Sequence, residues 1–154
     1  MATLNVKITE TLIIDGSNVG STTTQNIDGI NGVDNRILRC PTGSYTGLFY
    51  FDPSNIDAAV FPTSSFKYGR ITNKSNVPVQ LNVQTYDFDT STYYNTTFVV
   101  DISSSFYLST AKAINNTDGA ANNPDNFVYS QYISNIAVAP SGSPANIEYY
   151  IATT

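Results

Sequence analysis

Twelve carboxylates and no histidine set the chemistry open to this chain of 154 residues. Asp87 and Asp89 stand two apart in YDFDTSTYY, which puts both on one face of an extended strand. Such a pair, with a serine or backbone carbonyl, could hold a hard cation such as calcium. The glycine and the closing bidentate glutamate of a full calcium loop are missing, so a solvated acidic loop is the plainer reading. The only glutamates, Glu10 and Glu148, are the pair a glycosidase would draw on, and both fall in or beside predicted strands. A histidine-based triad is impossible, and four scattered lysines form no recognisable Ser-Lys dyad. Cys40 is the single cysteine, which excludes an internal disulfide and a Cys-based zinc site. Lacking a histidine base, its strand RILRCPTG reads as holding a small buried hydrophobe. These residues point away from an enzyme and call for no cofactor.

Aromatic and charged residues narrow the partners. Tyr93-Tyr94 and Tyr149-Tyr150 raise sugar stacking, but neighbours on a strand face opposite ways, so each pair offers a site one ring. Tryptophan is absent, and a core or interface tyrosine is the simpler role. Charged residues make up 12% of the chain, against about 25% in ordinary globular proteins. The seven basic residues are scattered and the net charge is −5, which argues against direct nucleic-acid binding. MATLNVKITE has no secretory pattern, and no apolar run approaches the ~18 residues of a membrane span. The expectation is a soluble chain made in a cytoplasm, with no membrane partner. The triplets NKS, NTT and NNT then match the glycosylation pattern through composition alone.

Short Thr-, Tyr-, Val- and Ile-rich runs between Asn, Asp, Gly and Pro turns predict eight or nine strands and no convincing helix. The length suits one domain. The fold expected is all-β, a single antiparallel β-sandwich of jelly-roll type. Residues 1–28 read as an N-terminal strand and extended arm, and residues 29–154 as the sandwich. Ser65 to Tyr86 reads as a hairpin around the polar turn NKSNVP. In its first strand Phe66, Tyr68, Arg70 and Thr72 share one face, with Lys67, Gly69 and Ile71 on the other. In its second, Val79, Leu81, Val83 and Thr85 face the core while Gln80, Asn82 and Gln84 point away. Lys67, Tyr68, Arg70, Gln80, Asn82 and Gln84 are therefore the candidate contact residues. DPSNIDAAVFPTSS, with one helical turn at 53–59, and DFDTSTYYN and INNTDGAANNPDN read as loops.

Three stretches, VDNRILRCPTG, FKYGRITNKSNVPVQLNVQ and the ending YISNIAVAPSGSPANIEYYIATT, resemble in layout the small virion structural proteins of tailed bacteriophages, especially those of marine and cyanobacterial hosts. The resemblance covers most of the chain from about residue 27 onward, and none of its motifs is catalytic. It departs after Asn73, where the family pattern is more acidic. It implies a non-enzymatic capsid decoration or cement protein on the virion surface, made in the host cytoplasm and clamping subunits of the major capsid protein. A homotrimer suits three-fold positions on symmetry grounds. The hairpin would be scaffold and contact surface. Its Arg70 guanidinium would bind a carboxylate or several carbonyls across a subunit joint, or make a plain cross-strand ion pair. The alternative is a tail or fibre component that binds host glycans, with Tyr93 and Tyr94 as contacts.

Overall fold

A computed structural model describes residues 2–51, 66–87, 91–109 and 131–154. These residues form twelve strands: β1 (Ala2–Thr9), β2 (Ile13–Ile14), β3 (Ser17–Asn18), β4 (Thr22–Ile30), β5 (Gly32–Cys40), β6 (Thr46–Tyr50), β7 (Phe66–Asn73), β8 (Val79–Asp87), β9 (Thr92–Val100), β10 (Ser105–Ser109), β11 (Gln131–Pro140) and β12 (Ala145–Thr153). Two four-stranded antiparallel sheets form the body: β10-β7-β12-β5, called sheet I, and β6-β11-β8-β9, called sheet II. Strands β5 and β12 pair, as do β6 and β11, β7 and β10, and β8 and β9. That is a ribbon doubled back on itself and rolled so that β12 meets β7 and β11 meets β8. The topology is that of a jelly roll, as the sequence led us to expect.

Period-two alternation builds the core. Leu81 and Val83 on β8, Ile136 and Val138 on β11, and Ile147, Tyr149 and Ile151 on β12 turn inward and are buried. Cys40 is fully buried among them, and burial pushes its thiol up, with a Thr46 hydrogen bond working the other way. Both observations agree with an inert core cysteine. Gly69 lets the Phe66 ring cross the sheet face, because a Cβ there would lie 2.9 Å from that ring. Phe66 in turn meets Phe49 edge-on at 5.6 Å.

The first thirty residues form a third layer. Strands β1 and β4 pair with each other, and β2 and β3 continue the ladder to a two-residue turn at Asp15-Gly16. Both turn residues have positive φ, 50° and 80°, the type I′ geometry that the Asp-Gly pair suits. The expected arm is thus a long β-hairpin. Its apolar face, with Leu4, Val6, Ile27 and Ile30, packs on Tyr68, Tyr150 and Ala152 of sheet I.

Three expectations about the middle of the chain are corrected. First, β7 and β8 are not a hairpin: they belong to different sheets, and residues 74–78 carry the chain round the corner. Asn73, fully buried, fixes that corner. Its Nδ2 donates to the carbonyls of Val77 (2.7 Å), Val100 (3.2 Å) and Asp101 (3.2 Å), and its Oδ1 accepts from the Ser75 amide (3.0 Å). Second, a register shift opposite Ala152 and Thr153 is a bulge that turns Phe66 into the core, away from the face of Tyr68 and Arg70. Third, Tyr93 and Tyr94 lie in β9, paired along β8, and not in a loop. The segments 52–65 and 110–130, including the expected helical turn and the INNTDGAANNPDN loop, lie outside the described residues.

Candidate functional site

Cross-strand register lines up side chains that are far apart in sequence. On the outer face of sheet I, Tyr150, Arg70 and Tyr107 stand in one row across β12, β7 and β10. Ala152, Tyr68 and Ser109 form the next row. The hairpin crosses both: Ile27 and Ile30 cover the second row, and Ser109 Oγ donates to Gln25 Oε1 at 2.6 Å. Between β1 and the first row lies a groove of about 380 Å³, lined by residues 4–9 with Tyr68, Arg70, Tyr107 and Tyr150.

Arg70 is the charged centre of this face. Its Nη2 meets Glu148 Oε1 at 2.5 Å, and Lys74 Nζ meets Glu148 Oε2 at 3.2 Å. Its Nε is buried without an acceptor. The structure therefore has the cross-strand ion pair, the second of the two roles expected for Arg70. Burial pushes the Tyr68 hydroxyl up, and the nearby Arg70 charge works against that.

A second polar cluster sits at the inner rim of sheet I. Asp34 and Arg36, two apart on β5, form a forked pair with Nε–Oδ1 at 2.9 Å and Nη2–Oδ2 at 2.7 Å. Tyr149 donates to Asp34 Oδ2 at 2.6 Å. Burial works against the Asp34 carboxylate, but the bonds from Arg36 and Tyr149 outweigh it and hold its pKa below the ordinary value. The same burial, with the Asp34 bond, drives the Tyr149 hydroxyl far up. The cluster is a structural clasp, and nothing in the sequence singled it out.

The outer face of sheet II has a different chemistry. Gln80, Asn82 and Gln84 stand opposite Val99, Thr97 and Asn95 on β9 and Ala139, Ala137 and Asn135 on β11. Asn82 Nδ2 donates to Thr97 Oγ1 at 3.4 Å, Gln84 Nε2 to Asn95 Oδ1 at 3.2 Å, and Tyr45 OH to Gln80 Oε1 at 3.1 Å. Among the described side chains this face carries no charge.

The six candidate contact residues thus do not form one surface. Tyr68 and Arg70 lie on sheet I with Lys67 at the bulge, while Gln80, Asn82 and Gln84 lie on sheet II. The corner at Asn73 separates them. Tyr93 is exposed, its ring 4.7 Å from that of Tyr86 opposite, and Tyr94 is half-buried beside Thr85. Asp87 ends β8, but its side chain and all of Asp89 lie outside the described residues. Glu10 accepts from Ser21 Oγ at 2.6 Å beyond β1, and Glu148 is held by Arg70 and Lys74 on sheet I, so each has its own local partner. Tyr107 was missed, and Tyr150 was noted only as half of a tyrosine pair, because only the register of three strands brings them to Arg70. No family model, curated protein or solved structure matches the chain.

Proposed function

We propose that this chain is a non-enzymatic structural protein of a phage virion, decorating the capsid and clamping adjacent subunits of the major capsid protein. The observation that carries this reading is the uncharged outer face of sheet II. A sheet face bearing amides, hydroxyls and small apolar groups is dehydrated at low cost, because no ionised side chain has to leave water. Many identical copies docking on a lattice would stabilise it by mass action. The resemblance of FKYGRITNKSNVPVQLNVQ and the closing strands to phage virion proteins supports the same assignment.

The test is sedimentation of purified protein, alone and mixed with capsids that lack it. Saturable co-sedimentation in fixed ratio to capsid subunits is expected. Protein that stays in the supernatant at every concentration contradicts the proposal. A second reading, a tail or fibre component that binds host glycans, is favoured by the tyrosine-lined groove beside Arg70. Binding to host cells or a glycan array, lost on Tyr107→Ala, would favour that reading over decoration.

A further inference from the structure

The hairpin leaves its far end uncovered. Beyond Gln25, which meets Ser109 on the edge strand β10, the ladder runs on past the sheet. There Leu12, Ile13, Ile14 and Val19 are each more than half exposed. A two-stranded ribbon is marginal in water by itself, and a cluster of exposed aliphatic side chains marks a contact surface. The end is also acidic: Glu10 and Asp15 lie on it, and no lysine or arginine occurs between Lys7 and Arg36.

The opposite edge of the same sheet has the complementary character. Among the described residues strand β5 pairs only with β12, and none of them pairs with its other edge. Its outward residues include Val33 and Ile37, 52% and 61% exposed, with the exposed Arg39 beside them. An open, apolar strand edge is a template for another strand. The rows beneath the hairpin end at this edge, with Val33 next to Ala152 and Asn35 next to Tyr150. The hairpin of a neighbouring copy would extend those rows.

We infer that the acidic, apolar hairpin end of one copy docks on the basic, apolar β5 edge of a second copy, head to tail. Because the two surfaces lie at opposite edges of one sheet, the contact is heterologous, and a rotation that closes it makes a ring. The inference gives a physical contact to the homotrimer expected from the sequence on symmetry grounds, and it does not depend on capsid decoration. Charge complementarity selects a second copy over an unrelated apolar partner.

Sedimentation velocity on the full chain tests this with two variants, Ile13→Asp at the hairpin end and Ile37→Asp on β5. Both side chains are exposed, so thermal melting should match the unsubstituted protein. If either variant melts early, Leu12→Ser and Val33→Ser replace them. The unsubstituted chain is expected to sediment as an oligomer and each variant as the 16.7 kDa monomer, its association weakened on the order of tenfold or more. Mixed one to one, the two variants should form a dimer and nothing larger, since one supplies an intact edge and the other an intact hairpin end. A monomeric unsubstituted chain, an oligomer indifferent to both variants, or a mixture that stays monomeric would each overturn the inference. Capsid binding is scored separately: an intact variant dimer alongside an unsubstituted protein that ignores capsids would sink decoration and leave this contact standing.

Discussion

The strands of sheet I carry Asp34, Arg36, Arg39, Lys67, Arg70 and Glu148, whereas those of sheet II carry Asp87 alone. Both sheets give their inner faces to the same core, so burial does not explain the difference. On sheet I the charges are settled where they have partners: Glu148 holds Arg70 and Lys74, and Asp34 holds Arg36. The hairpin covers the apolar remainder of that face. Sheet II has no such cover among the described residues, and its surface is satisfied by cross-strand bonds between amides and hydroxyls. Soluble domains usually keep about a quarter to a third of their surface charged. A bare sheet without charge departs from that, and easy dehydration against a partner is the physical consequence. The outer face of sheet I is covered by the hairpin, and the bare face of sheet II is the one the proposed function assigns to contact.

The joint between the sheets should give the largest effect. Asn73→Ala removes a buried donor from three carbonyls, and a loss on the order of 3 kcal/mol is expected in urea unfolding. A loss below about 1 kcal/mol would mean that the corner is held elsewhere. Next comes the difference in cover. Ile27→Ala, on the buried face of the hairpin, should cost about 2 kcal/mol by leaving a cavity against Tyr68 and Ala152, while Val99→Thr on bare sheet II should stay within about 0.5 kcal/mol. Equal effects would erase the distinction between a covered and an open face.

Asp34→Asn should cost about 1 kcal/mol at neutral pH by breaking the forked pair with Arg36. Asp34 is depressed in the folded chain, so its contribution is complete above the ordinary value of 3.8 and fades as the pH falls below it. Unfolding curves of the variant and the parent should therefore converge in acid, and a gap that persists there would mean a packing role. Of the two ion pairs, the smaller effect belongs to Arg70→Gln. That half-exposed pair should be worth less than about 1 kcal/mol, and less still in high salt.

Much of this architecture could be read from the chain. Strict alternation in Val79–Thr85 placed Gln80, Asn82 and Gln84 on an outer face, whereas residues 1–28, read as a strand and an extended arm, fold back at Asp15-Gly16 as a hairpin. The pairing of β7 was not legible, because NKSNVP has the composition of a hairpin loop. Only the distant carbonyls of Val100 and Asp101, which Asn73 reaches, make it a corner between sheets. The start of strand β9 was hidden for a related reason. Its TYYNTT start lacks apolar alternation, and it is held by pairing along β8. The groove depends on register across β12, β7 and β10, information no single stretch contains.

The central claim, that the uncharged face of sheet II meets the capsid, is tested most directly by placing a charge there. Val99 is exposed on that face, so Val99→Lys and Val99→Glu should leave folding intact. Co-sedimentation with capsids that lack the protein would be measured for both, beside Thr24→Lys on the exposed side of the hairpin. Loss of binding with either sign of charge at position 99, and retention with Thr24→Lys, is the expected result. Capsid binding that survives both substitutions at Val99 would contradict it.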